Sequence, residues 1–227
     1  MKNIIKDSVG FYRNHFRLIF SVFFPVYLLE ILTTNIIEYS FLHIDGNLFL
    51  QSLYVLLTFV FHSIYTASLI ILFGSIISGN YPPPLKCIQK GVVYLPIFIA
   101  TEIMVSFFTF AGFILLIVPG IIIGIKLSLA QFYLVLLDET PINALKKSYK
   151  ATEGFTSTIF YALLQVAIPI FLLRFIVEII FSDLITPNPV ISMIIDFIFG
   201  CITVIFPILL FRFFCIVQES ELKVNNT

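Results

Sequence analysis

The sequence predicts an all-α, polytopic integral membrane protein. The expected fold has six transmembrane helices in three helical hairpins, interfacial amphipathic helices, and both termini cytoplasmic. Three observations carry this expectation. Of 227 residues, 59% are hydrophobic and 11% charged, with a mean hydropathy of +1.07, whereas soluble domains carry about 25% charged residues. The apolar residues are gathered into runs long enough to cross about 30 Å of hydrocarbon as helix. Lys and Arg concentrate in alternate connections between those runs, as cytoplasmic loops require. The same composition excludes a disordered chain, a coiled coil, a disulfide-stapled scaffold and a nucleic-acid binder, since 13 basic residues are cancelled by 13 acidic ones.

The spans run over about 18–37, 49–77, 92–117, 119–137, 155–181 and 190–217, within a single membrane domain covering 1–227. Lys2, Lys6, Asp7, Arg13 and Arg17 interrupt the start of the chain, which lacks the short apolar core and cleavage site of a secretory signal. The first apolar run is therefore expected to stay as an anchor. The third and fourth spans share one apolar run of about 46 residues, with the turn predicted at Val118-Pro119-Gly120. One kinked helix is the alternative and needs an excessive tilt. A β-barrel is excluded because the runs are apolar on every face rather than alternating.

Basic residues orient the spans. Lys2, Lys6, Arg13 and Arg17 at the start, Lys86 and Lys90 in the second connection, Lys146, Lys147 and Lys150 in the fourth, and Arg212 and Lys223 at the end make 11 of the 13. Three of these segments are amphipathic. Residues 1–17 place Ile5, Val9, Tyr12 and Phe16 on one face. Pro84 to Gly91 offers Leu85 and Ile88. Pro141 to Thr152 offers Ile142, Leu145 and Tyr149, with Thr140 as N-cap and Gly154 as stop. These helices are expected to lie flat against anionic lipid at the cytoplasmic face. An offset of 140 residues pairs Ile5 with Leu145, Ser8 with Ser148, Val9 with Tyr149 and Ile19 with Ile159, and an offset of 60 pairs Leu85 with Leu145. Either three repeated units or the common character of basic juxtamembrane segments explains the match.

Little chemistry is legible. Cys87, Cys201 and Cys215 read as free thiols, the first in a polar connection and the other two too far apart along one span to bridge. His43 with Glu38 and Asp45 reads as an ordinary polar loop before a divalent-ion site, and His62 as a packing hydrogen bond before a proton carrier. The 27 Phe residues suit lipid-facing and core positions, or the lining of a lipid groove. No phosphate loop, zinc cluster or nucleophile elbow occurs, so no catalytic residue, cofactor or metal is expected. The informative residues are charges inside spans, which are costly unless paired or wet. They are Glu30, Glu102, Lys126, Arg174, Glu178 and Asp196. Arg174 and Glu178 share a helix face near the outer end of the fifth span, and Asp196 reaches the same level, which predicts an ion cluster at the outer rim. Glu102 and Lys126 each lie about 15–17 Å from the inner ends of their spans, which predicts a buried midplane pair; Glu30, about 18 Å deep, is a candidate third member.

Certain motifs resemble a known family. Ser8-Val9-Gly10-Phe11-Tyr12-Arg13-Asn14-His15-Phe16, Ile117-Val118-Pro119-Gly120-Ile121-Ile122, Leu136-Leu137-Asp138, Ala144-Leu145-Lys146-Lys147-Ser148 and Phe211-Arg212 resemble the YciC family of bacterial inner-membrane proteins over essentially the whole chain. The Val-Pro-Gly-Ile stretch is more distantly similar to the membrane domain of some glycerophosphodiester phosphodiesterases, without their catalytic barrel. The resemblance implies a multi-pass protein of the inner (cytoplasmic) membrane and brings no catalytic residues. The resulting expectation is a non-enzymatic protein of envelope or membrane-lipid homeostasis, whose partners are the bilayer, anionic lipid and a membrane protein, but not nucleic acid. The alternative is a small transporter or lipid translocator that uses the intramembrane charges.

Overall fold

A computed structural model describes residues 2–37, 48–181 and 188–225, and every element among them is a helix. These are α1 (Lys2–Ile37), α2 (Leu48–Ile77), α3 (Pro84–Leu115), α4 (Ile117–Leu127), α5 (Ala130–Leu136), α6 (Pro141–Ala151), α7 (Thr156–Ile180), α8 (Pro189–Thr203) and α9 (Ile205–Asn225). Six helical stretches are long and apolar enough to cross a membrane, which makes this a multi-pass membrane protein. Helix is the natural solution for such runs, because each backbone N–H and C=O must find its partner within the segment when no water is present. Glu38, His43 and Asp45, read as an ordinary polar loop before an ion site, lie outside the described residues.

Side-chain contacts bring the basic segments to one end of the bundle. Arg212 on α9 reaches Asp7 on α1 at 3.7 Å. Tyr94 on α3 donates to Asp138 after α5 at 2.9 Å, and Gln218 on α9 donates to Tyr133 on α5 at 3.2 Å. An aromatic core fills this basic end: the Phe73, Phe132 and Phe214 rings each pack within 6.0 Å of a neighbour around Phe211 and Phe132. α7 is the least buried long helix and joins this core only near its start, where Ile159 and Ala162 are its buried residues.

Four boundaries differ from those expected. The hairpin between the third and fourth spans turns at Leu116, whose backbone is extended, and Pro119-Gly120 falls inside the first turn of α4. Pro is tolerated there because its missing N–H has no intrahelical acceptor. Gly120 serves close approach and not a bend: a Cβ on it would fall 2.5 Å from the Phe113 ring, and one on Gly112 would fall 2.8 Å from the Gly120 Cα. The fourth span is interrupted at Ser128-Leu129 between α4 and α5. The sixth is interrupted at Val204, where the Pro207 ring would clash with the carbonyl four residues back. α1 is continuous except for a kink at His15, two residues before the predicted junction.

The amphipathic segments are helical, and their expected apolar faces divide between the bundle, where Ile5, Tyr12, Ile88 and Leu145 pack, and the outside. On α6, Ala144, Leu145 and Ser148 are buried, while Ile142 and Tyr149 are 55% and 46% exposed. On α1, Ser8 is buried and Val9 and Phe16 are exposed. Pro84 to Gly91 is no separate interfacial helix but the start of α3, burying Cys87 and Gly91 and exposing Leu85. Cys87 is therefore a core thiol and not a loop residue; all three cysteines are free. Small side chains let these helices approach closely, while the larger apolar ones meet lipid, whose tails are as apolar as any core. Gly154, with φ at +83°, ends the connection after α6 as expected, but Thr140 makes no side-chain cap. The 140-residue offset pairs positions of like burial, Ser8 with Ser148 and Ile19 with Ile159, whereas the 60-residue offset pairs exposed Leu85 with buried Leu145.

The α2–α3 contact is the tightest test of this packing. A Cβ on Gly91 would fall onto the Ser68 hydroxyl and lie 3.0 Å from the Ile64 carbonyl. Gly91→Val is expected to cost about 1–3 kcal/mol and lower the thermal midpoint in detergent by several degrees, whereas Gly10→Ala, with nothing within 4 Å of its new Cβ, should leave it unchanged or raised. Equal midpoints for wild type and Gly91→Val would contradict the contact.

Candidate functional site

The six intramembrane charges singled out by sequence fall in three places. Arg174, Glu178 and Asp196 meet at the end of the bundle opposite the basic segments, as expected. Arg174 Nε donates to Glu178 Oε1 at 2.8 Å, and its Nη2 donates to Asp196 Oδ1 at 2.9 Å. The i,i+4 spacing on α7 aligns the first pair, and the Asn188 side chain caps the start of α8, which carries Asp196, by accepting from the Val190 N–H at 3.1 Å. Tyr27 ties α1 to the same place, donating to the Asp196 carbonyl at 3.0 Å. Gly200 gives the Tyr27 ring room to lie against α8, since any Cβ there would overlap it.

This cluster borders a cavity of about 430 Å³ that also receives Glu30, Thr34 and Asn35 from α1, Thr58 from α2 and Ser192 from α8. Glu30 is 8% exposed, and its Oε2 is buried without a hydrogen-bond partner, as is Thr58 Oγ1. Glu30 thus faces the far-end cavity and does not join Glu102 and Lys126.

Glu102 and Lys126 do not pair. The Glu102 carboxyl lies 2.5 Å from Ser63 Oγ on α2 and accepts from Gln131 Nε2 on α5 at 2.9 Å. Lys126 Nζ stands 4.0 Å over the Tyr149 ring of α6. The reason lies in the register, which is set by the turn and not by the inner ends of the spans. Glu102 is fourteen residues before Leu116 and Gln131 fifteen after it, so these two are level, whereas Lys126 is only ten after it. The offset of four residues is about 6 Å along the helix. Ser128 and Thr101, the hydroxyl residues beside this pair in sequence, bond back to their own helix at the Ile125 and Ile97 carbonyls.

Ser63 Oγ also lies 2.8 Å from the Phe59 carbonyl. A hydroxyl has one hydrogen, and a carbonyl only accepts. Both contacts are satisfied together when Glu102 Oε2 carries the proton and donates it to Ser63, whose own hydrogen goes to Phe59. A neutral carboxyl also explains how Glu102, 7% exposed, sits among helices without a cation. His62 bonds along its own helix, 2.6 Å from the Tyr65 hydroxyl three residues on, and not across a helix interface as expected.

Lys126 marks the third place, a lateral groove of about 630 Å³ between α4 and the start of α7. Val118, Ile121, Ile122, Ile125 and Phe160 make its walls, with Lys126, Thr156 and Ser157 at the end nearer α6. The groove exists because α7 is so loosely packed. Beside it the interruption of the fourth span is closed by α6. Ser148 Oγ donates to the Lys126 carbonyl at 2.7 Å and accepts from the Leu129 N–H at 3.1 Å, and Thr152 Oγ1 reaches the same carbonyl at 3.2 Å.

Sequence reasoning missed Ser63, Gln131, Thr58, Ser148 and Thr152, all uncharged residues. Measuring depth from the turn would have found Gln131; the others carry no signal beyond being hydroxyls on apolar helices. No family model, curated protein or solved structure matches the chain.

If Glu102 is held neutral, its isostere suffices. Glu102→Gln is expected to leave yield and thermal midpoint within about 0.5 kcal/mol of wild type, while Glu102→Leu, which strands Gln131 and Ser63, should cost about 1–3 kcal/mol. A Gln variant as damaged as the Leu variant would show that the carboxylate charge matters.

Proposed function

We propose that this chain is a non-enzymatic protein of the bacterial inner membrane, related to the YciC family and acting in membrane-lipid or envelope homeostasis by binding anionic phospholipid. The observation that carries the reading is the lateral groove. An apolar trough of about 630 Å³ open beside the least buried helix, with a lysine and two hydroxyl residues at one end, matches an acyl chain capped by a phosphate. Exposed Lys146 and Lys150 on α6 add attraction for anionic headgroups, each basic residue near the surface contributing about 1 kcal/mol, while Lys147 is paired with Glu139. The positive-inside rule then puts the basic end, and with it both termini, in the cytoplasm, so the lysine end of the groove meets the inner leaflet. The same basic surface supplies the contact for a membrane-protein partner.

Native mass spectrometry of the purified chain tests this reading. Phosphatidylglycerol is expected to remain bound in preference to phosphatidylcholine, and Lys126→Gln to reduce its retention about fivefold. Equal retention of the two lipids, or no effect of the variant, would remove the support for lipid binding.

A second reading, a small transporter, is favoured by the polar cavity at the far end, where Glu30, Arg174, Glu178 and Asp196 gather. That cavity stops short of Glu102, which is not among its lining residues. Solute uptake into liposomes lost in Glu30 variants would favour this reading.

A further inference from the structure

We propose that the far-end cavity is a binding site for a small organic cation, an alkylammonium, with the Glu30 carboxylate as its principal acceptor. The inference shares its cavity with the transporter reading but needs binding only, not passage.

Unmet hydrogen bonds are the first ground. Three buried side-chain oxygens among the described residues lack a partner, and two of them, Glu30 Oε2 and Thr58 Oγ1, line this one cavity. Glu30 is more than nine-tenths buried and its carboxyl accepts no hydrogen bond from any described residue. An empty acceptor buried in this way is disfavoured until a donor arrives, and a cationic donor favours the ionised form of the carboxyl that receives it. An ammonium brings up to three N–H donors, enough to serve the carboxylate and the Thr58 oxygen together.

Charge is the second ground. Glu30, Glu178 and Asp196 bring three carboxylates to the cavity and Arg174 one guanidinium. That guanidinium is already committed to Glu178 and Asp196, so a carboxylate or phosphate ligand would have to compete with both, and the field left over attracts a cation.

Size and ligand type are the third. About 430 Å³ is near the small end of ligand pockets. Among the described residues no three His, Cys, Asp or Glu side chains stand close enough to hold a metal ion, so the donor set suits an N–H cation with a short hydrocarbon body, which Ile31 and Ile195 on the wall accommodate.

Isothermal titration calorimetry on the full chain in lipid nanodiscs near neutral pH, with ethylammonium chloride and sodium chloride as probes, tests the site. Saturable binding of ethylammonium and none of sodium is expected, with Glu30→Gln weakening it about tenfold or more and Thr58→Val severalfold. Absence of saturable ethylammonium binding overturns the proposal, as does equal binding of sodium or an affinity that both variants leave within about twofold. Ethylammonium bound but not taken up by liposomes would leave the site standing and remove the transporter reading; uptake of another solute with no ethylammonium bound would do the reverse.

Discussion

One hydroxyl closes the gap in the fourth span, and the basic half of the molecule is arranged around it. Where α4 ends and α5 begins, the chain releases the Lys126 carbonyl and the Leu129 N–H from helical bonding. In hydrocarbon such groups cannot turn to water. Ser148 serves both, donating to one and accepting from the other, and the Thr152 hydroxyl stands 3.2 Å from the same carbonyl. That requirement holds α6 against α4 and α5, puts a serine on the buried face, and sets Leu145 against Leu127 and Ala130. It also fixes the neighbourhood of Lys126, since Tyr149, next to Ser148, lies beneath its ammonium group. Gln131, on the far side of the interruption, is then free to reach Glu102.

The spans were legible in the sequence because they depend on composition over about 20 residues, a signal that survives errors of detail. Helical hairpins, the positions of most span ends and the far-end ion cluster of Arg174, Glu178 and Asp196 follow from spacing along single helices. What could not be read was registration between helices. Glu102 and Lys126 looked level when counted from the inner ends of their spans, but α3 runs far beyond its span while the fourth span is short and broken, so only the turn at Leu116 gives their true offset. Which apolar residues turn inward was unreadable for a related reason. Patterning rules for soluble helices bury the large apolar residues, whereas here Ser8, Gly91, Ala144 and Ser148 are buried and Val9, Leu85 and Ile142 face outward. A bilayer offers Leu and Ile no penalty, so close packing selects by size instead.

The two ends of the molecule therefore present different chemistry to the membrane. At the basic end, rigidity comes from the aromatic core and the α6 dock, and a lysine is left at the foot of an apolar groove. The far end is more polar, its ion pairs half exposed, its cavity bordered by unsatisfied oxygens. Loose attachment of α7 links them, since this helix walls the groove near one end and supplies Arg174 and Glu178 at the other. A shift of α7 would change both sites at once, because each depends on its distance from α1, α4 or α8.

Amide hydrogen exchange at Leu129, compared between wild type and Ser148→Ala in the same nanodiscs, tests most directly whether α6 satisfies the broken span. Protection of this amide in the wild type and its loss by about tenfold or more in the variant is the predicted result. A Leu129 amide that exchanges equally in both would contradict the account, whether fast or slow, because the Ser148 hydroxyl would then not be its partner.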